Sequence, residues 1–267
     1  MNAKVKWLRE KIKIHDMQGM IVSNPINIRY LTGINAEGVL LITRKENIFL
    51  TDGRYIEDVN ATLTIDDGIT VYEFKDFSKD EFENFFLFCE NVGFEEEYVT
   101  YARYKEYMHR YKVNNLQETE KIIESGRLIK DEEEIEKITK ACELTDDCFK
   151  YLLGYIKVGQ TEKEIAYEIE KYFRTHGADG VSFDPIVASG KNSSKPHAVP
   201  TDKKIELGDP ITIDFGCKYD GYCSDMTRTV FVRICSWGNK RNLWLSIKKS
   251  ITNRGRILWW CKYKKYM

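Results

Sequence analysis

The sequence predicts an α/β domain over about residues 1–115 and a second unit, mixing helices and strands, that begins near Lys130. Short apolar strands alternate with helical patterns in the first part, which favours an α/β arrangement. The polar stretch 114–120 indicates a boundary. In the second part, two strands flank Asp220-Gly221, a dipeptide typical of a two-residue hairpin turn.

The first domain opens with a helical pattern over residues 4–16, in which Val5, Leu8 and Ile12 share one face. A strand over 19–22 follows, ended by Asn24-Pro25, and residues 28–31 suggest a short apolar turn before Gly33. Three further strands are predicted over 39–43, 48–51 and 71–74. Ser78 and Glu81 form a capping box for a helix whose apolar face comprises Phe82, Phe85, Phe86 and Cys89.

The second unit begins with a helix whose acidic first turn suits the helix dipole. Its predicted inner face comprises Ile135, Ile138, Cys142 and Thr145. Thr161 and Glu164 form a second capping box, opening a helix that directs Ile165, Ile169 and Phe173 inward. Gly177 occupies the position of a helix C-terminal glycine.

The composition is that of a globular protein, with 42% hydrophobic and 31% charged residues. No apolar run approaches the roughly 18 residues of a transmembrane span, and we expect no membrane partner. The N-terminus lacks a signal-peptide pattern. Seven scattered cysteines include no CxxC pair, which favours a reduced, cytoplasmic protein.

Charge is distributed unevenly along the chain. Residues 233–267 contain ten Lys or Arg and no Asp or Glu, whereas residues 1–232 carry 31 basic and 42 acidic residues. Four of the five tryptophans also lie in 233–267. This segment fits a tail that binds nucleic acid or an anionic membrane, an ordinary basic end, or out-of-frame translation. We favour the third, because another reading frame permits an acidic, helix-like continuation, and so expect no nucleic-acid partner.

The hairpin holds the candidate metal ligands. If the Asp220-Gly221 turn sets the register, paired residue numbers add to 441, so Asp214 lies opposite Thr227 and Asp225 opposite Gly216. Both carboxylates then project to one face and can converge on ions about 3.5–4 Å apart. Alternatives for Asp214 are a solvated face or an ion pair with Arg228 or Lys218, since an unpaired charge in an apolar strand is costly.

Histidine contributes one further candidate. His197 lies between Pro196 and Pro200 in what the prolines predict to be an ordered loop. A lone histidine is more often structural than functional, and His15, His109 and His176 lie on or near helix ends.

These residues make the chain recognisable. It resembles pita-bread metallopeptidases of the Xaa-Pro aminopeptidase and Xaa-Pro dipeptidase (prolidase) type. The resemblance rests on segments 183–190, 196–200, 213–216 and 224–229. Segments 27–33 and 51–55 resemble the creatinase-type N-terminal domain, and 127–138 resembles the start of the catalytic domain. The resemblance implies a creatinase-like α/β domain at 1–118, an incomplete α+β pita-bread domain at 127–232 and a basic tail at 233–267.

The resemblance also implies roles. Asp214 matches a ligand of one metal ion, Asp225 matches the ligand that bridges two ions, and His197 matches the catalytic histidine that binds the scissile carbonyl or its tetrahedral intermediate. In that family a metal-bridging hydroxide attacks the bond before proline. Oxygen ligands favour Mn²⁺, with Co²⁺ and Zn²⁺ as alternatives. The implied partners are peptides with proline in second position and, for the full-length family, a second copy in a homodimer.

One departure limits the expectation. The family uses one more His and two Glu ligands downstream, whereas no His, Asp or Glu follows Asp225 in the 267 residues. We therefore expect this chain to be truncated or frameshifted after Val232, and inactive as written. The alternatives are a metal-free, creatinase-like hydrolase that acts through histidine and a non-catalytic pita-bread binding protein.

Overall fold

The structure is a computed structural model that describes residues 2–63, 67–237 and 240–247, with side chains described as far as Val232. The chain divides into two compact units, residues 1–129 and 130–267. The described residues include no helix long and apolar enough to cross a membrane. The predicted tail lies largely outside the described residues.

Unit 1 is built on one mixed sheet with the strand order β4-β3-β2-β1-β5-β6. Pairing of β1 with β2 and of β2 with β3 is antiparallel, whereas the other three pairings are parallel. The strands are β1 (Gly19–Val22), β2 (Gly38–Thr43), β3 (Asn47–Thr51), β4 (Thr70–Glu73), β5 (Asn91–Phe94) and β6 (Asn115–Glu118). The helices are α1 (Ala3–Ile14), α2 (Pro25–Thr32), α3 (Ile56–Thr62), α4 (Lys79–Phe85), α5 (Tyr101–Arg110) and α6 (Ile122–Arg127).

Both faces of this sheet are covered, which explains why its strands are apolar throughout. Leu40 and Ile42 of β2 lie in a core cluster with residues of α1, α2 and α6. Val39 and Leu41 of the same strand lie in a second cluster, with Tyr107 of α5. The predicted face of α1 is confirmed, because Val5, Leu8 and Ile12 are all buried.

Three local predictions in unit 1 were wrong. Residues 28–31 belong to helix α2, which Asn24 caps, Pro25 begins and Gly33 ends with a φ of 78°. The Ser78–Glu81 capping box is present, but α4 ends at Phe85, so Cys89 lies beyond it. The polar stretch 114–120, interpreted as a boundary, contains strand β6.

Unit 2 begins with two long helices, α7 (Glu132–Tyr155) and α8 (Glu162–Thr175). A three-stranded sheet has the order β11-β10-β7 and a four-stranded sheet the order β13-β12-β9-β8. The strands are β7 (Gly180–Val181), β8 (Ile186–Ser189), β9 (Pro210–Phe215), β10 (Cys217–Tyr219), β11 (Tyr222–Cys223), β12 (Met226–Trp237) and β13 (Lys240–Ile247).

The α8 predictions are confirmed, whereas the predicted face of α7 is displaced. Ile165, Ile169 and Phe173 are fully buried, and Gly177 has a φ of 91°. In α7, Ile135 and Cys142 are exposed. The buried side chains are Glu134, Ala141, Thr145, Cys148, Phe149 and Leu152.

Candidate functional site

The Asp220-Gly221 turn fixes the register that the sequence predicts. Asp220 has a φ of 45° and Gly221 a φ of 79°, the pair of positive values that a type I′ turn requires. Lys218 pairs with Cys223, and Asp214 pairs with Thr227, so the numbers add to 441 on both sides of the site. The ladder is interrupted between these pairs, where Gly216, Ser224 and Asp225 lie outside the strands.

Asp214 lies on the face of β9 that points away from the core. Ile211, Ile213 and Phe215 are fully buried, whereas Asp214 is half-buried. Its carboxylate accepts a hydrogen bond of 2.6 Å from the Thr227 hydroxyl. Because side chains alternate between the two faces of a strand, Asp214 is not buried with the apolar residues of β9, as its neighbours in the sequence suggested.

The alternative ion pairs for Asp214 are not formed among the described residues. The Arg228 guanidinium instead donates to the Thr227 carbonyl at 2.9 Å and lies over the Phe149 ring. Lys218 is exposed on β10.

The buried Ser224 hydroxyl stabilises the break in the strand ladder at which Asp225 lies. The Ser224 Oγ atom accepts the Cys217 amide at 3.0 Å and lies 2.6 Å from the Thr145 hydroxyl of α7. The Ser182 hydroxyl donates to the Ser224 carbonyl at 2.9 Å. A Cβ atom at Gly216 would overlap that carbonyl, so only glycine fits there. These contacts of Ser224 fix the backbone immediately before Asp225.

Asp214 and Asp225 are close enough to repel each other. The pKa of Asp225 is raised, first because its carboxylate loses hydration and second because of the negative charge of Asp214. Asp225 is exposed, so a ligand can reach it from solvent. A divalent cation between the two carboxylates would remove this repulsion, and carboxylate oxygens suit hard or borderline cations.

The two aspartates do not by themselves form a complete set of metal ligands. The described residues contain no group of three or more His, Cys, Asp or Glu arranged to hold a metal ion. The structure thus brings together the two predicted ligands, and a complete coordination shell would need further donors.

His197 makes no hydrogen bond or ion pair with Asp214 or Asp225. It lies in an exposed turn after the short 3-10 helix Gly190–Ser194 and has no hydrogen bond or ion pair to another described residue. Ala198 beside it is buried, whereas Val199 is 78% exposed. The structure does not test its predicted catalytic role. The other three histidines lie at helix ends, as expected.

Sequence reasoning missed a buried acid in the same unit. Glu162 is the first residue of α8, and its side chain is completely buried. It lies between the two capping-box residues Thr161 and Glu164. Because these two residues were sufficient to predict the start of the helix, Glu162 was given no role. Its partners are Ser189, Asn192 and Thr201, far away in sequence. The cluster of small polar residues around 189–201 was the available signal.

Two family profiles match the chain. The Creatinase/Prolidase N-terminal domain matches residues 4–129, and Metallopeptidase family M24 matches residues 136–244. The second match continues past Val232, where we expected family-like sequence to end.

Individual relatives give the same result. An uncharacterized peptidase, YqhT, of Bacillus subtilis is 38% identical over 86% of this chain, and an Xaa-Pro dipeptidase of Pyrococcus horikoshii is 32% identical over 87%. Among solved structures, an Xaa-Pro dipeptidase from Bacillus anthracis has a TM-score of 0.80 at 34% identity over 87% of this chain. An X-Pro aminopeptidase from Thermotoga maritima has a TM-score of 0.75 at 30% identity over 85%. The chain spans 65% of the length of each of these four proteins.

Proposed function

Since this chain belongs to metallopeptidase family M24 and carries the Creatinase/Prolidase N-terminal domain, we propose that it represents a peptidase specific for Xaa-Pro bonds. The substrate is a dipeptide or a longer peptide with proline in second position. The observation that carries the proposal is the pair Asp214 and Asp225 on one hairpin, where Asp214 pairs with Thr227 as the register predicts and lost hydration and the charge of Asp214 raise the pKa of Asp225.

Asp214 and Asp225 would hold the metal. Both offer carboxylate oxygens, Asp225 is open to solvent, and the Thr227 hydroxyl orients Asp214. A bound pair of divalent ions, with Mn²⁺ favoured over Co²⁺ and Zn²⁺, would polarise the scissile carbonyl and lower the pKa of a water molecule. His197, in an exposed turn, would donate a hydrogen bond to the scissile carbonyl oxygen.

The 267 residues of the sequence supply an incomplete set of metal ligands. No His, Asp or Glu follows Asp225 within the 267 residues, so a polypeptide of these residues alone offers two carboxylates. We propose that such a polypeptide is inactive and that residues 233–267 are translated out of frame. The family resemblance places the missing ligands, one His and two Glu, downstream of Asp225.

Two further properties are part of the proposal. The described cysteines, Cys89, Cys142, Cys148, Cys217 and Cys223, are all free thiols, as expected of a cytoplasmic protein. The full-length protein is a homodimer, as the family resemblance implies.

The test compares the 267-residue polypeptide with a protein in which the reading frame after Val232 is restored. We expect the restored protein to hydrolyse Ala-Pro with Mn²⁺, to lose activity with a chelator and to leave Ala-Ala uncleaved. Asp214→Asn or Asp225→Asn in it should reduce kcat/KM by about 10³ or more. The 267-residue polypeptide should show no hydrolysis. Chelator-resistant cleavage by the restored protein, or cleavage by the 267-residue polypeptide, would contradict the proposal.

A further inference from the structure

Glu162 is the most completely hydrogen-bonded acid that the proposed mechanism leaves unused. Its side chain is fully buried, and a buried carboxylate is tolerated only when its oxygens have partners. It is the first residue of α8, where the positive end of the helix dipole favours a negative charge. The pKa of Glu162 lies below its ordinary value, because hydrogen bonds outweigh the effect of burial, which by itself would raise it.

The bonds to Glu162 come from both ends of one loop, which we call the 189–201 loop. At one end, the Ser189 amide and hydroxyl donate to Oε1 at 2.7 and 2.9 Å. At the other end, the Thr201 amide and hydroxyl donate to Oε2 at 3.0 and 2.6 Å. Between them, the Asn192 amide nitrogen reaches both oxygens, at 3.1 and 3.3 Å. A single carboxylate therefore joins the two ends.

The tip of this loop carries His197 and has few contacts of its own. Ser193 and Lys195 bond within the first turn of the loop, to Gly190 and Asn192. Residues 196–200 make no hydrogen bond to any described residue. Ala198 is the buried side chain of the tip. The position of the tip thus depends on its two ends, and both ends are bonded to Glu162.

The first end of the loop is also tied to the strand of Asp214. Ser189 is the last residue of β8, which pairs with β9 through Ser189 with Ile211 and Ile186 with Asp214. The Lys203 ammonium adds a bond to the Ser189 hydroxyl at 3.0 Å and an ion pair with Asp209 at 2.7 Å. Glu162 therefore connects the loop of His197 to the sheet that carries the metal ligand.

We propose that Glu162 is a positioning residue whose carboxylate closes the 189–201 loop and so fixes the His197 imidazole for its substrate. The importance of His197 rests on the proposed function, whereas the closure of the loop does not. The experiment uses neither metal nor substrate, so a failure of the peptidase assignment leaves its outcome unaffected.

The test follows the four histidine rings of the full chain by side-chain NMR and the amides of the 189–201 loop by hydrogen exchange. Glu162→Gln places an amide nitrogen among donors and removes at least one pair of bonds. We expect the His197 signal to shift or broaden and the hydrogen-bonded amides of the loop, those of Ser189, Lys195 and Thr201, to exchange about tenfold faster or more. His176, at the other end of α8 and stacked on Tyr172, should be unchanged.

Glu164→Gln is the matched control, because Glu164 lies in the same helical turn but is exposed and bonds only Thr161. It should leave His197 and the loop as in the original protein. The proposal is wrong if a folded Glu162→Gln protein retains the His197 signal and slow exchange, or if His176 changes as much as His197.

A second variant decides the matter if Glu162→Gln does not fold. Thr201→Val removes the 2.6 Å hydroxyl bond to Glu162 and the 3.2 Å bond that this hydroxyl accepts from the Lys203 amide, and it retains the bond from the Thr201 amide to Glu162. It should accelerate exchange in the 189–201 loop by about threefold to tenfold without affecting His176. Unchanged exchange in this variant would overturn the proposal.

Discussion

At the residue scale, the pKa of Asp225 is raised by lost hydration and by the negative charge of Asp214. Asp214 has a compensating partner, because the Thr227 hydroxyl donates to it at 2.6 Å. Because its pKa is raised, Asp225 takes up a proton at a higher pH than an ordinary aspartate does. Cation binding would therefore weaken as the pH falls through the raised pKa of Asp225.

Removing the charge of Asp214 should lower the pKa of Asp225. In Asp214→Asn the repulsion disappears while the size of the side chain is retained, so the pKa of Asp225 moves toward the ordinary aspartate value of 3.8. The measurement is a carboxyl ¹³C NMR titration in the presence of a chelator. Asp202→Asn serves as the control, because Asp202 pairs with Lys163 on the surface. An unchanged pKa in Asp214→Asn would show that the two carboxylates are not neighbours.

The aspartate pair was predictable and Glu162 was not, for the same physical reason. The register of Asp214 follows from a turn only six residues away, so local chemistry determines it. The burial of Glu162 depends on Ser189 and Thr201, which lie 27 and 39 residues away. A sequence pattern shows local capping but not such distant donors.

At the scale of elements, the misassigned segments are those in which local signals were short. Helix α2 has eight residues, with Pro25 at its first position and Gly33 at its end, and its polar Asn27 is buried. Asn27 donates to Glu95 and Glu124 and accepts from Arg127. These tertiary partners stabilise a helix that its apolar residues alone indicated as a turn.

The long elements were predicted because their periodicity repeats. Helix α8 spans 14 residues, and its three predicted inward residues are all fully buried. Helix α7 was found by the same signal, but its buried face is centred on Ala141, Thr145 and Cys148. Thr145 was on the predicted face and is buried, and its hydroxyl lies 2.6 Å from the Ser224 hydroxyl, a contact that the hydrophobic pattern alone does not reveal.

Two glycine substitutions should have opposite effects on the stability of unit 2. Gly221→Ala places a Cβ atom at a φ of 79° and should destabilise the hairpin by about 1–2 kcal/mol. Gly154→Ala lies in α7 with nothing within 4 Å of the added Cβ atom, so it should stabilise the unit by about 0.5–1 kcal/mol. Urea unfolding of both variants measures the difference. Equal effects of the two would refute the assigned turn.

At the scale of the whole molecule, the buried Glu95 of unit 1 and the fully buried Glu162 of unit 2 differ in pKa. In unit 1, burial raises the pKa of Glu95, although Ser23, Asn24 and Asn27 donate to it, and Glu124 adds repulsion. In unit 2, the bonds to Glu162 outweigh burial and lower its pKa. Neither glutamate was singled out from the sequence, because charged residues are ordinarily assigned to the surface.

The two units should therefore respond to pH in opposite directions through these groups. Glu95, with a folded pKa above the ordinary glutamate value of 4.5, contributes stability that is present below pH 4.5 and is lost as the pH rises through its folded pKa. Glu162, with a folded pKa below 4.5, contributes stability that is present above pH 4.5 and is lost as the pH falls through its folded pKa.

Unit-resolved hydrogen exchange in urea can separate the two contributions. For each variant, the quantity compared is the free energy of unfolding of the original protein minus that of the variant. As the pH falls from about 7 to about 4, this difference should increase in unit 1 for Glu95→Gln and decrease in unit 2 for Glu162→Gln. Glu164→Gln, at an exposed acid of α8, controls for the general effect of removing a charge. Differences of the same sign in both units would mean that one of the two glutamates is not held as the structure shows.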